Sequence, residues 1–174
     1  MRLVKGFLVV IIGFFVLITL ISLLFPSRVV TVKSTTIHAP EQKIMAQLAH
    51  LQQWKQWHPL FKSQASSLLI STPDSGKGAT ASWQVNEKKY TIAFEEVLPN
   101  AIRFNVEASG EKPIETMLAI LPMQEPGTFQ VEWRALTHLK WYPWEKFAGI
   151  FISEMTGPGY QQALDSLQKF MERP

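Results

Sequence analysis

The feature that most constrains this chain is an uncharged apolar segment near its N-terminus. Residues 6–25 comprise 20 residues, of which 16 are Phe, Leu, Val or Ile and none is charged. A helix of this length, at about 1.5 Å per residue, is about 30 Å long and matches the hydrocarbon thickness of a bilayer. The segment therefore predicts one membrane-spanning helix, with the membrane as a partner through residues 6–25.

A cleaved signal peptide is the alternative interpretation of this segment. Signal peptides have an apolar core of about 7–15 residues and end in small residues. Here the core is longer and ends in Leu23, Leu24 and Phe25, so we expect a retained anchor. We place the transmembrane anchor at residues 1–28 and a single further domain at residues 29–174.

Basic residues flank the apolar segment on both sides. Arg2 and Lys5 precede it, whereas Arg28 and Lys33 follow it. Cytoplasmic flanks tend to carry the excess of Lys and Arg, and the α-amine adds to the first pair. We therefore expect a single-pass protein of a bacterial inner membrane, with its domain on the outer, periplasmic face.

Charge and cysteine content exclude several function classes. The chain has 17 basic and 14 acidic residues, and three of the basic ones, Arg2, Lys5 and Arg28, flank the anchor. The remaining domain has no net charge, which argues against a nucleic-acid partner. Because the chain has no cysteine, disulfides, thiolate metal centres and thiol catalysis are excluded. The four histidines lack metal-ligand spacing, so we expect no metal and no cofactor.

Beyond the anchor, hydrophobic alternation and turn residues indicate an antiparallel sheet. In residues 101–108, for example, Ile102 and Phe104 share one face while Arg103 and Asn105 share the other. Short turn segments separate such runs and favour hairpins between sequential strands. Seven strands are predicted, at residues 29–37, 67–71, 78–85, 90–98, 101–108, 114–121 and 128–136.

Helical periodicity indicates the elements that cover this sheet. Residues 40–51 predict a helix with one apolar stripe, followed by a turn at His58 and Pro59. A shorter helix is predicted around residues 145–155, and Gly157-Pro158-Gly159 predicts a break after it. A longer apolar stripe in residues 160–171 predicts the C-terminal helix.

Several short sequences, in this order, resemble landmarks of the START and polyketide cyclase-like (SRPBCC) superfamily. They are VKSTTIHAPE at residues 32–41, WKQWHP at 54–59, GKGA at 76–79, EVLPN at 96–100 and GPGY at 157–160. The resemblance extends over about residues 29–170 and contains no family catalytic motif. It implies an α+β helix-grip fold, in which a curved antiparallel seven-stranded sheet surrounds a long C-terminal helix.

The resemblance also implies an apolar cavity, which members of this superfamily use for lipids, sterols, polyketides or other hydrophobic molecules. We therefore expect a membrane-anchored binding protein for a hydrophobic small molecule or lipid. No catalytic residue is assigned. The residues expected to line the cavity are Trp83, Phe94, Glu96, Phe104, Met117, Trp133, Phe147, Phe151, Tyr160 and Leu164.

Two polar residues are the candidates for chemistry in that cavity. Glu96 follows Glu95, and if it keeps the phase of Ile92 and Phe94 it points inward, where it would contact a polar group of a ligand. A solvent-exposed carboxylate at the strand end is the alternative. For His58 we expect a surface position that closes a turn.

Other functions remain open at this level. If the aromatic rings fill the cavity, the domain is a non-catalytic interaction module at the membrane with a protein partner that the sequence does not identify. A cyclase or hydrolase would need a polar cluster in the cavity. Residues 141–144 (WYPW) match a membrane-interface belt, but the nearby Phe147 and Phe151 favour a core loop instead.

Overall fold

The computed structural model describes residues 2–173, with side chains from Val4 to Arg173. Helix α1, Arg2–Ser22, contains most of the apolar segment, which continues for three residues beyond the helix to Phe25. Its Val4–Ser22 portion is long and apolar enough to cross a membrane. Most of its large apolar side chains are exposed, as expected of a helix that has no protein core around it.

A seven-stranded antiparallel sheet follows α1, with spatial order β1-β7-β6-β5-β4-β3-β2. The predicted fold is thereby confirmed. Sequential strands from β2 to β7 are neighbours, and β1 pairs with β7 at one edge. The strands are β1 Arg28–His38, β2 Leu69–Ile70, β3 Thr80–Val85, β4 Lys88–Leu98, β5 Ala101–Ala108, β6 Ile114–Pro122 and β7 Thr128–His138.

Three short helices connect β1 to β2: α2 Glu41–Ala49, α3 Leu51–Trp57 and α4 Pro59–Ser63. The single helix predicted for residues 40–51 is therefore interrupted at His50. This residue is extended and forms a bridge with Ser75, while the Leu51 N–H donates to the Asp74 carbonyl at 3.0 Å. The Leu51 N–H, which would bond within a continuous helix, thus bonds to the loop before β3 instead.

Helix α5, Pro143–Met171, is one continuous element of 29 residues, so the break predicted at Gly157-Pro158-Gly159 is wrong. Proline removes a single helical hydrogen bond, which tertiary contacts on both sides can offset. Gly157 lies against β1 so closely that a Cβ there would be 2.7 Å from Lys33 Cε. Beyond it, Ala163, Leu164 and Leu167 are buried against the rest of the domain.

Residues 141–144 are not a core loop, contrary to the sequence-based expectation. Trp141 and Trp144 are 63% and 62% exposed. They flank Tyr142, whose ring stacks on that of Trp144 with centroids 4.9 Å apart. The helix start that Phe147 and Phe151 indicated does exist, but it leaves most of these rings on the surface.

A cluster of aromatic rings fills the core between the sheet and the short helices. Trp54 is at its centre, with ring centroids 5.3 Å from Phe61, 6.0 Å from Phe94 and 5.5 Å from Phe104. The Trp54 indole N–H donates to the Leu48 carbonyl at 2.9 Å, so the buried donor is satisfied. This part of the interior is solid.

The connection between α1 and the domain is held by α5. Lys146 is only 4% exposed, and its Nζ donates to the Phe25 carbonyl at 3.3 Å and to the Ser27 hydroxyl. The Leu139 N–H donates to the Ser27 carbonyl at 2.9 Å. The Phe25 ring meets Phe147 edge-on at 5.2 Å. The segment after α1 is therefore fixed to the start of α5 rather than being a free tether.

Candidate functional site

A cavity of about 570 Å³ lies between the sheet, α4 and the middle of α5. Its aromatic wall consists of His58, between α3 and α4, together with Trp83 of β3 and Trp133 of β7, and exposed residues of α5 form its rim. It is lined by His58, Pro59, Leu60, Ser63, Gln64, Trp83, Ile92, Val106, Trp133, Thr156, Gly159, Tyr160 and Gln162. We call it the central pocket. None of these thirteen residues is Asp, Glu, Lys or Arg.

His58 connects α3 to α4 at the inner end of the central pocket. It is the N-cap of α4, and its Nδ1 accepts a hydrogen bond from the Leu60 N–H at 3.2 Å. Burial lowers the pKa of His58 to about 3, so the ring is neutral at physiological pH. With Nδ1 acting as an acceptor, the proton of the neutral ring is on Nε2, which is a hydrogen-bond donor.

The surface position expected for His58 is wrong, although its turn-closing role is as expected. The ring stacks on Trp54 with centroids 5.5 Å apart, and it lies 5.8 Å from the Trp133 ring. The side chain retains partial exposure, which we assign to the central pocket because His58 lines it. Sequence periodicity could not show this, since the orientation depends on how α4 leaves α3.

Trp133 and Tyr160 form the wall between β7 and α5. Their rings stack with centroids 5.1 Å apart. The Trp133 indole N–H is buried, and it has no acceptor within hydrogen-bond distance in residues 2–173. Burial raises the pKa of the Tyr160 phenol, which therefore stays protonated as a donor. The Trp133 nitrogen itself has almost no accessible surface, so the donors that an acceptor atom of a ligand can meet belong to Tyr160 and His58, which line the pocket and are partly exposed.

The remaining hydroxyls of the pocket bond locally. Thr156 Oγ1 donates to the Ile152 carbonyl and Ser63 Oγ to the Leu60 carbonyl. In the part of the chain that the structure describes, no cluster of three His, Asp or Glu side chains is arranged to hold a metal ion. The site therefore combines an apolar wall with a few neutral donors, an arrangement suited to binding rather than to proton transfer.

Three of the ten residues predicted to line the cavity do so: Trp83, Trp133 and Tyr160. Trp83 stacks on Tyr90 with ring centroids 5.7 Å apart, and this pair continues the aromatic wall along β3 and β4. Alternation along β7 predicted an inward face for Trp133, and helical periodicity placed Tyr160 on the apolar stripe of α5, whereas Trp83 was included only as an aromatic residue of the sheet.

Three other predicted residues are inward but lie behind the pocket wall. Phe94, Phe104 and Leu164 are almost fully buried in the solid part of the core. The Phe94 and Phe104 rings are 6.0 Å apart and both contact Trp54. They support the wall without reaching the void, because α3 places its rings in front of them.

Glu96 and Met117 lie on the outer face of the sheet, so the inward orientation of Glu96 is wrong. A β-bulge between Phe94 and Glu96 shifts the register of β4 against β5. Glu95 and Glu96 consequently share the outer face, where Glu96 accepts from Arg103 at 3.2 Å and Glu95 accepts from Asn105 at 3.1 Å. The bulge inserts one residue and reverses the alternation from which the prediction was made.

The last two predicted residues, Phe147 and Phe151, lie on the first half of α5 outside the central pocket. Phe147 contacts Phe25, and Phe151 is 56% exposed. Glu96 and His58, the two candidates for acid–base chemistry, are on opposite sides of the sheet and therefore cannot act on the same substrate. No other carboxylate replaces Glu96 in the lining of this pocket.

Sequence reasoning missed most of the other lining residues. Ile92 and Val106 could have been found, because they alternate in phase with Phe94 and Phe104. Leu60, Ser63 and Gln64 had no usable signal, since α4 is a five-residue helix inside a segment predicted as a turn. Gly159 was assigned to a helix break, although it lies within α5 and forms part of the rim.

A second cavity of about 460 Å³ lies under the first half of α5. Val106 borders both cavities, but the second one is polar, with Glu111, Lys112, His138, Lys140 and Glu145 among its lining. Lys140 Nζ lies 3.7 Å from Glu145 Oε1, and the Lys140 backbone N–H also donates to the Glu145 carboxylate at 2.6 Å, so this lysine and glutamate are paired with each other. The central pocket is therefore the better site for an apolar ligand.

No protein-family model and no curated protein matches this sequence. Solved structures match over most of the chain. A START superfamily protein from Mycobacterium smegmatis is 12% identical with a TM-score of 0.59 and covers 82% of this chain and 97% of its own. A truncated norcoclaurine synthase from Thalictrum flavum is 13% identical with a TM-score of 0.61, covering 84% and 95%.

A conserved protein of unknown function from Enterococcus faecalis is similar as well, with 15% identity, a TM-score of 0.57 and coverage of 85% of this chain and 74% of its own. At these identities the likeness shows the fold alone. The chain has a START-like, polyketide cyclase-like helix-grip fold with an apolar helix at its N-terminus. The fold inferred from the short sequence landmarks is thus confirmed independently.

Proposed function

We propose that this protein is a membrane-anchored binding protein that holds a neutral hydrophobic small molecule or lipid in the central pocket. The observation that carries the proposal is the lining of that pocket, which is largely apolar, contains no charged residue and includes the neutral donors of Tyr160 and His58. Such a lining binds through apolar contact and orients its ligand with a few hydrogen bonds.

The size of the pocket supports a small-molecule ligand. A volume of about 570 Å³ falls in the range of about 300–1,000 Å³ that is usual for ligand pockets. Each buried methylene gains about 0.8 kcal/mol, so a ten-carbon chain gains about 8 kcal/mol before the cost of immobilising it. Apolar contact alone is therefore sufficient for useful affinity.

The donors favour a ligand that carries an acceptor but no charge. Tyr160 O–H and His58 Nε2–H are neutral, and a carboxylate in this pocket would have no cation to pair with. Burying an unpaired anion is costly, whereas a carbonyl, ester or hydroxyl oxygen satisfies a free donor without that cost. We therefore expect a fatty ester or ketone to bind more tightly than the carboxylate of equal chain length.

The anchor is the second part of the proposal. The length and hydropathy of α1 support a retained span, with the domain at residues 29–174 held close to the outer face of the membrane. A fusion of alkaline phosphatase or β-lactamase to the C-terminus tests the orientation in bacteria. Reporter activity outside the cytoplasm is expected, and activity only with a cytoplasmic reporter would reverse the proposed topology.

A variant that fills the pocket tests the binding function. Gly159 is at the rim, and a Cβ there meets no atom within 4 Å, so Gly159→Leu reduces the void without a clash at its first carbon. Lys169→Leu is the matched control, because it adds a leucine to an exposed position of the same helix. Native mass spectrometry of each full chain after exposure to a lipid extract measures the ligand.

We expect wild type and Lys169→Leu to retain one ligand and Gly159→Leu to lose it. A wild-type chain that stays empty in lipid extracts and does not bind a neutral fluorescent acyl probe contradicts the proposal. Equal binding by both leucine variants would also contradict it, because the ligand would then lie outside the central pocket.

A further inference from the structure

The first half of α5 exposes large apolar side chains that the domain does not cover. Trp144, Ile150, Phe151 and Met155 are all at least half exposed, and Met155 reaches 77%. Trp141, just before the helix, is equally exposed. A soluble surface rarely concentrates so many large apolar groups, so this region indicates a contact with an apolar phase or a partner.

Most of these side chains share one face of the helix. Trp144, Ala148, Phe151 and Met155 are spaced by four, three and four residues, which at about 100° per residue places them within about 60° of one another. We call this set the α5 stripe. Glu154 is the one exposed acidic residue nearby, about 80° round the helix from Trp144 and thus at the margin of the stripe.

The position of α1 indicates which surroundings fit the stripe. The end of α1 packs on α5, Ser22 is fully buried, and Lys146 holds the Phe25 carbonyl. If α1 spans the bilayer, its last turn is at the lipid–water boundary. The first turns of α5 are then at the same level, because the connection between the two helices is short and fixed by hydrogen bonds.

We propose that the α5 stripe, together with Trp141, lies in the headgroup region of the same bilayer that α1 spans. The inference rests on the proposed anchoring of α1. Trp rings favour this region because their apolar body and polar N–H both find a suitable environment there. The exposed side chain of Arg28, the first residue of β1, lies next to this contact and suits an anionic headgroup.

The stripe also leads to the central pocket. Gly159 and Gln162, which line the rim, are four and seven residues beyond Met155 and continue its helical face. The distance from Trp144 to Gly159 along the helix is about 22 Å. An apolar ligand can therefore enter the pocket from the lipid beside the rim without crossing bulk water.

The absence of cysteine from the chain allows a direct test with single labels. Met155→Cys on the stripe and Leu69→Cys on β2 start from residues with matched exposures of 77% and 72%. Each full-length variant is labelled with an environment-sensitive NBD fluorophore and placed, one chain per disc, in nanodiscs of phosphatidylcholine and phosphatidylglycerol. Aqueous iodide and brominated lipids then quench the label from either side, and Ala148→Cys serves as a second position on the stripe.

We expect the labels at positions 155 and 148 to have blue-shifted emission, several-fold weaker iodide quenching than position 69, and clear quenching by brominated lipid. Equal iodide quenching at all three positions would overturn the docking of the stripe. Protection that appears only when several chains share a disc would also overturn it, since a second copy would then be the occupant.

Extraction by alkaline carbonate separates the two proposals. A chain that stays in the membrane, with a label at position 155 as accessible as that at position 69, keeps the anchor and disproves the docking. A chain that carbonate extracts disproves the anchoring, and the docking with it.

Discussion

The two halves of α5 differ in what they contact. The C-terminal half presents Ala163, Leu164 and Leu167 to the core, and all three are buried. The N-terminal half presents Trp144, Phe151 and Met155 outward, while its inward side contacts the end of α1 and a polar cavity. One continuous helix thus completes a hydrophobic core at one end and displays an apolar surface at the other.

This difference shows why composition alone does not define the role of an apolar helix. Both halves are rich in large apolar residues, and in both halves these residues recur at helical spacing. The sheet covers only one of them, because α5 lies along β1 and its first half extends towards the anchor. The two halves should therefore respond differently to the same kind of substitution.

The largest contrast is expected from truncating one side chain in each half. Leu164→Ala should lower the free energy of unfolding by about 2–5 kcal/mol, because it leaves a cavity in the core. Met155→Ala should change it by less than about 0.5 kcal/mol, since no part of the domain packs over the Met155 side chain. Urea denaturation of the full chain in detergent, followed by circular dichroism, measures both, and equal losses would contradict the division of α5.

A pH-dependent effect on stability is expected at the central pocket. The pKa of His58 is about 3 in the folded chain and near its ordinary value of 6.5 when unfolded. Between these values the unfolded chain binds a proton that the folded chain does not, so stability falls as the pH falls. The loss should reach up to about 1.4 kcal/mol per pH unit below pH 6.5.

The control for this titration is His58→Asn. Asparagine is a good N-cap and can still accept from the Leu60 N–H, but it does not titrate. Denaturation midpoints measured from pH 7 to pH 5 should decline more steeply for wild type than for the variant. Parallel curves would show that His58 is not kept neutral by burial.

Two glycines in α5 provide a smaller contrast. A Cβ at Gly149 would overlap Leu139 Cδ1, whereas a Cβ at Gly159 would meet nothing within 4 Å. Alanine at either position gains helix propensity, but only Gly149→Ala also forces a buried neighbour to move. Gly159→Ala should therefore be more stable than Gly149→Ala by about 1–3 kcal/mol in thermal or urea denaturation. The opposite order would contradict the close approach of α5 to Leu139.

The smallest effect concerns the end of α5. Hydrogen bonds from the ring and the backbone N–H of His38 lower the pKa of Glu172 below its ordinary value of 4.5. The carboxylate therefore adds stability above pH 4.5, and this contribution is lost as the pH falls through the lowered pKa. In an NMR titration of the Glu172 carboxyl carbon, His38→Ala should raise the pKa towards 4.5. An unchanged titration would show that the end of α5 is not held to β1.

Prediction from sequence succeeded where local periodicity was sufficient. The strands of the meander alternate in polarity with short turns between them, and they lie close to their predicted positions. The inward face of Trp133 followed from the same alternation. The prediction failed at Glu96, where one bulge residue reversed the alternation of inward and outward side chains along β4. It also failed at Gly157-Pro158-Gly159, because packing against β1 maintains a helix that proline would otherwise interrupt.

The candidate site was only partly predictable, for a related reason. His58 closes a turn, as its place before Pro59 indicated, but the path of α4 turned its ring towards the pocket and buried it. Phe94 and Phe104 were correctly assigned to the inside, yet the rings of α3 occupy the space in front of them. The spacing of apolar residues along the chain shows which face of a strand or helix a side chain is on. Whether that side chain reaches a cavity depends on which element, distant in sequence, packs against that face.

The amino-acid sequence by itself determined an apolar helix at the N-terminus, a seven-stranded antiparallel sheet and a C-terminal helix to cover it, because each of these follows from contacts with near neighbours in the chain. Only the tertiary structure decided which aromatic rings fill the core, which line the central pocket and which remain on the surface. Those outcomes depend on the order in which distant segments pack, and side chains of the same type meet different partners in each place.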